Sequence, residues 1–243
     1  MTPSSDAAKL GEPSYVWRSG QERRLELIRS YVPLEEQRVL DVGCGVGTYV
    51  RRLRGFSSQV YGIDISFRRL MDGSKTVDGL LAAVGEFLPF RTASFDMVLL
   101  NEVIEHVQDD RRTLEESVRI LRPGGHLIIF APNRLYPFET HGMQLGRHYV
   151  FGNVPFINYL PDCIRNRLVP HARAYRAAEL GQLTGNLGLR LVTHEYVYPG
   201  FDNIATRSGV IARLLRSVLY RAEHTRLRRY GLSHFLILQR VSG

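Results

Sequence analysis

The stretch Asp41-Val42-Gly43-Cys44-Gly45-Val46-Gly47 limits the fold more than any other part of this chain. An apolar run, 38–42, leads into it, and helix-like spacing, 48–54, leads out of it. Glycines at alternate positions between a strand and a helix let the backbone turn sharply and come close to a ligand. The first turn of the helix meanwhile offers free N–H donors. Such a unit belongs in a parallel α/β sheet, and the following sequence keeps that rhythm. Runs at 59–64, 80–85 and 95–100 read as strands, the last apolar throughout as a strand buried on both faces should be. Helices are expected at 66–71 and 110–121, the second ended by Pro123-Gly124-Gly125 before a fifth strand, 126–131. A helix at 21–31 covers one edge, and no internal repeat is present.

Beyond Asn133 the periodicity fades until about 171, in a segment dense with Pro, Gly and aromatic residues, which is expected to be functional or mobile. Regular patterns return as a helix at 177–187, a strand at 189–198, a basic helical stretch at 204–229 and a final strand at 234–241. The chain reads as one domain over 1–243. Its parts are a helical cap (1–37), a cofactor-binding core (38–133), an acceptor-side lid (134–171) and a basic helical insertion (204–230).

The residues at the strand ends carry the chemistry. A dinucleotide fingerprint places its third glycine one residue later, at Thr48, and Asp41 would repel a pyrophosphate but suits an amino-acid ammonium. Asp64, with Ile65 beside it, ends the second strand where a carboxylate can grip ribose hydroxyls. Glu86-Phe87 follows the third strand, suited to an adenine edge and face, and Asn101-Glu102 follows the fourth at the ligand-binding rim.

Together these segments resemble the class I S-adenosylmethionine-dependent methyltransferases, in particular the ubiquinone and menaquinone type that acts on small molecules. The resemblance is carried by 39–47, Gly62-Ile63-Asp64, 85–90, Phe95-Asp96-Met97-Val98, 102–107 and Leu121-Arg122-Pro123-Gly124-Gly125, in order over residues 38–133. It implies a Rossmann-like seven-stranded sheet, order 3-2-1-4-5-7-6 with the last strand antiparallel and helices on both faces, and S-adenosyl-L-methionine as cofactor. It further implies that Gly43, Gly45 and Gly47 line the methionine part, that Asp64 binds ribose, and that Asp41, Cys44 and Ile65 belong to the same cofactor site. Glu86 and Phe87 would flank adenine, and Asn101 and Glu102 would lie beside the sulfonium. The basic stretch at 204–230 stands where the family has a short turn.

His106 is the first candidate for a general base, since an imidazole can take the proton of an acceptor hydroxyl. The alternative is that it only braces the pocket. His141 and His148, within the lid, are further candidates. No metal is expected, because Glu139 is the only carboxylate near these two in sequence.

The net charge of +8 is unevenly spread: residues 1–133 carry 17 Lys+Arg against 18 Asp+Glu, and residues 134–243 carry 15 against 6. That excess permits an alternative reading as an RNA methyltransferase. Against nucleic acid, the fourth strand leads into Asn101-Glu102-Val103, not the Asn/Asp-Pro-Pro-aromatic turn common in base-amino methylation. The favoured acceptor is a small molecule or a lipid-linked one, methylated at oxygen. Ile211, Leu214, Leu215, Val218 and Ala222 form a stripe in the basic segment, which suits either packing on the sheet or peripheral contact with anionic lipid on the inner membrane face. Two cysteines, no apolar run of membrane-spanning length and a polar segment 1–12 without a secretory signal favour the cytoplasm. A dehydrogenase or a non-catalytic binding module would need the glycine spacing, or the acids Asp41, Asp64 and Glu86, to be misleading.

Overall fold

A computed structural model describes residues 17–241; the segment 1–12 lies outside the described residues, and of the expected cap only the part from Trp17 is described. Helix α1 (Ser19–Tyr31) precedes β1 (Val39–Val42), α2 (Thr48–Leu53), β2 (Val60–Asp64), α3 (Phe67–Gly73), β3 (Leu80–Ala82), β4 (Phe95–Asn101), α4 (Asp110–Ile120) and β5 (Leu121–Pro132). Short strands β6 (Phe138–Glu139), β7 (Met143–Leu145), β8 (His148–Val150) and β9 (Val154–Pro155) follow, then α5 (Asp162–Leu168) and α6 (Ala177–Thr184). The chain ends with β10 (Leu189–Val197), α7 (Asp202–Ala205), α8 (Gly209–Ala222), a 3-10 turn (Arg226–Tyr230) and β11 (Ser233–Arg240).

The main sheet has the order β10-β11-β5-β4-β1-β2-β3, with β11 antiparallel to both of its neighbours. This is the Rossmann-like order expected, β10 and β11 standing sixth and seventh. Side chains alternate between two apolar layers. Val39, Met97, Leu99, Ile128, Phe130, Phe235 and Ile237 face α1 and α2, while Leu40, Val98, Leu100, Leu127, Ile129, Leu236 and Leu238 face α4 and α6. Burial on both faces explains the unbroken apolar runs, and truncating a side chain such as Leu99 to Ala would cost roughly 2–5 kcal/mol.

Three expectations need correction. The fifth strand starts at Leu121, not 126, because Pro123-Gly124-Gly125 enters it through an irregular register against β4, with Gly124 at φ +82°. The region beyond Asn133 holds short elements among its turns: β6 pairs with β9 and β7 with β8, pairings too short to show a period. The basic helix is broken. Ser208 caps α8, its hydroxyl accepting from the Ile211 N–H, and Thr225 likewise starts the 3-10 turn.

Candidate active site

The glycine loop sits at the carboxyl end of β1, where open α/β sheets bind ligands. Gly43 and Gly47 adopt φ +72° and +73°, and a Cβ on them would lie 2.5 Å from Val103 Cγ2 and 2.7 Å from Val77 Cγ1. Both therefore require glycine, and the Val103 contact joins this loop to the turn after β4. Cys44 points its side chain inward against Gly62, so only its backbone belongs to the loop surface.

Asp41 and Asp64 are buried beneath the loop. Burial, then the nearby Asp64 charge, push the Asp41 carboxyl well above the usual range. Asp64 accepts hydrogen bonds from the N–H groups of Gly45 (2.8 Å) and Ser66 (2.7 Å), which ties the ends of β1 and β2 together. Ile65 and Phe87 stand 76% and 68% exposed, the Phe87 ring with the Arg112 guanidinium 5.6 Å from its centre. The Glu86 carboxylate turns away toward α4 and accepts from the Gln108 N–H at 2.8 Å and the Asp109 N–H at 3.3 Å.

Asn101 and Glu102 do not stand free. Arg24, from α1, donates to Asn101 Oδ1 (2.6 Å), Glu102 Oε1 (2.7 Å) and Ser233 Oγ (2.9 Å), and its guanidinium lies 4.7 Å from the centre of the Phe130 ring. Burial opposes ionisation of Glu102, but Arg24 and the Ser233 hydroxyl bring its pKa below the ordinary value. Arg24 carried no sequence signal: nothing near it in the chain points to a partner 78 residues away.

The turn after β4 also brings imidazoles together. His106 and His141 meet edge to face, ring centres 5.1 Å apart, although the first follows β4 and the second lies between β6 and β7. His106 Nδ1 lies 2.9 Å from the carbonyl oxygen of His171, so it carries the proton and leaves Nε2 with a free lone pair. Burial, then His141, hold His106 at about 4, well below the ordinary imidazole value. His141 Nδ1 lies 2.9 Å from Glu139 Oε1, and Glu139 is also held by Arg165 Nη2 at 2.6 Å. Burial alone would raise Glu139, yet the bonds from His141 and the Arg165 charge bring it down to about 2. It therefore stays ionised, and His141 turns its Nε2 toward Glu105.

Between the two imidazoles lies Glu105, fully buried, its Oε1 3.8 Å from each Nε2. Neither of its oxygens has a hydrogen-bond partner among the described residues. Burial and the Glu102 charge raise its pKa well above the ordinary value. Ligand atoms of Glu105, His106 and His141 lie within 4.8 Å of one another, an arrangement that could hold a cation. The sequence offered Glu139 alone as a carboxylate near His141 and His148; the fold brings Glu105, the neighbour of His106, up to His141. His148 is exposed in the β7–β8 hairpin, opposite Leu145, and is not in this cluster.

Residues 40–129 match the family described as a methyltransferase domain. A curated relative from Thiobacillus denitrificans, named ubiquinone biosynthesis O-methyltransferase, is 31% identical over 118 residues, 46% of this chain and 51% of that protein. A protein of the same name from Coxiella burnetii is 29% identical over 177 residues, 70% of each chain. This chain thus spans about half the length of the first relative. The crystal structure of an S-adenosylmethionine-dependent methyltransferase from Mesorhizobium loti shares the fold, with a TM-score of 0.62 at 19% identity, covering 88% of this chain and 96% of that one.

Proposed function

We propose that this chain moves a methyl group from S-adenosylmethionine to a hydroxyl oxygen of a small-molecule or lipid-linked acceptor, a reading supported by the match of residues 40–129 to a methyltransferase domain. The observation that carries the reading is the junction at Val103, which sets the glycine loop against the turn bearing His106.

The residues present fit the donor. Two buried carboxylates beneath the loop, Asp41 and Asp64, repel each other, and a cationic amino-acid moiety relieves that repulsion. Asp64 would hold ribose, Gly43, Gly45 and Gly47 would leave room for the methionine part, and Phe87 would cover adenine with Ile65 near it. Glu86 braces the start of α4, and Arg24 fixes Asn101 and Glu102 at the rim. When bound, the donor supplies an electrophilic methyl carbon on a sulfonium leaving group. His106 Nε2 would take the proton of the acceptor hydroxyl as the methyl group moves to its oxygen. Because the leaving group departs neutral, positioning supplies much of the acceleration.

The acceptor is of the kind methylated at oxygen by the relatives named ubiquinone biosynthesis O-methyltransferase. The RNA reading lacks such support. A lipid-linked acceptor accords with an exposed face on α8, where Val210, Leu214 and Val218 lie open beside Arg213 and Arg221. We assign this face to the surface of an anionic bilayer. Among the described residues no helix is long and apolar enough to cross a membrane.

A catechol-type acceptor and methyl-labelled donor test the base. His106→Ala lowers kcat by about a hundredfold or more, with donor affinity retained. Unchanged kcat removes His106 from the chemistry. The convergence of Glu105, His106 and His141 favours a second reading, in which a divalent cation there polarises the acceptor oxygen. Activity lost on chelation and restored by added cation selects it; activity indifferent to chelation selects the free base.

A further inference from the structure

We propose that Glu223, in the segment between β10 and β11, is a positioning residue of the methyl-donor site, acting through helix α1. The inference rests on reading the glycine loop as that site.

Helix α1 is held at two adjacent arginines facing different elements. Arg23 makes a two-pronged ion pair with Glu223, one bond at 2.9 Å and a shorter one from Nη2, and lies 3.8 Å over the Tyr220 ring. Arg24, the next residue, reaches Asn101 and Glu102. Glu223 is itself fixed, since its Oε1 also accepts from the Tyr198 N–H at 2.8 Å. Both partners of the Arg23 pair are largely buried, with side chains 19% and 11% exposed.

The same segment also closes the start of α1. Asp202 accepts from the N–H groups of Ser19 (3.1 Å) and Gly20 (3.2 Å), so another part of the chain supplies the helix cap. Arg216 bridges the Gly200 carbonyl (2.7 Å) and Ser19 Oγ (2.7 Å). Backbones meet at Gly20 and Gly200, where a Cβ on Gly200 would stand 2.6 Å from Gly20 Cα. The length by which this segment exceeds a simple turn therefore serves as a clamp on α1. What the clamp fixes is the register of α1, and with it the reach of Arg24 to Glu102, a residue at φ +56° beside the donor loop.

The test is calorimetric titration with S-adenosylhomocysteine together with donor and acceptor kinetics, on wild type, Glu223→Gln, Arg23→Lys and Asp96→Asn. Asp96 pairs with Arg122 at 2.6 Å near the opposite end of β4, so its variant loses an ion pair without touching α1. Glu223→Gln is expected to weaken binding and raise the donor KM about five- to tenfold, with kcat and the acceptor KM within twofold of wild type. Arg23→Lys, which keeps charge but loses the fork, falls between, and it decides the matter should Glu223→Gln not fold. Asp96→Asn leaves donor affinity unchanged at a comparable loss of melting temperature. Wild-type donor affinity in Arg23→Lys and Glu223→Gln, or equal weakening in Asp96→Asn, overturns the proposal. Failure of the wild type to bind the homocysteine product instead sinks the donor reading.

Discussion

Glu102 takes a left-handed backbone conformation that bulky residues avoid, and Arg24 and Ser233 hold its carboxylate in place. Asp41, Asp64 and the glycines were legible in the sequence because strand ends place them by local rules alone. Arg24, Glu105 and His171 were not, since their roles arise only when distant segments meet. His234 is a further case. It is wholly buried, donates from Nε2 toward the Tyr175 carbonyl at 2.8 Å and faces His194 Nε2 through Nδ1 at 2.9 Å. Burial, only partly offset by the bond to Tyr175, holds it at about 4 against an ordinary 6.5. Below pH 6.5 the unfolded chain therefore takes up a proton that the folded chain refuses until about pH 4, and stability falls across that interval. Urea unfolding at pH 7 and pH 4.5 should differ by roughly 2–3 kcal/mol from this group, a difference reduced in His234→Gln. An identical pH dependence in that variant would show that His234 is not its source.

The strands of the main sheet were readable as apolar runs because each is buried on both faces, and their order followed from the family resemblance. The short pairs β6–β9 and β7–β8 left no period to read, and their position is secured by contacts such as the buried Arg165–Glu139 ion pair. Helix α8 shows the limit of a helical stripe as evidence. The fold buries Ala212 and Ala222 and turns Arg216 inward, while Ile211, Leu214 and Val218, expected as one seam with Leu215 and Ala222, stay open. Because Leu214 and Val218 are 63% and 56% exposed, the pair Leu214→Asp and Val218→Asp should change stability by only about 0.5 kcal/mol each. Co-sedimentation with vesicles containing phosphatidylglycerol should be lost in this double variant. Binding equal to wild type would remove α8 from the membrane face.

Across the whole molecule, the excess of basic residues and the departures from a minimal sheet coincide. The segments following β5 and β10 leave the same edge of the sheet as the glycine loop, because β10 lies antiparallel to β11 and β11 antiparallel to β5. The segments after β5 and β10 belong to the half carrying 15 Lys+Arg against 6 Asp+Glu, and the glycine loop to the nearly neutral half. Sequence reasoning read the strands of the first half well and the short pairings of the second poorly: the first are long apolar runs bounded by turns, the second pair over only two or three residues. The central claim concerns the donor, and calorimetric titration of wild type and Asp64→Ala with S-adenosylhomocysteine and with NAD tests it most directly. The account predicts binding of the homocysteine product to wild type, at least tenfold weaker binding to Asp64→Ala, about 1.4 kcal/mol, and no heat with NAD. Equal affinity in the two proteins, or binding of NAD in place of the homocysteine product, would contradict it.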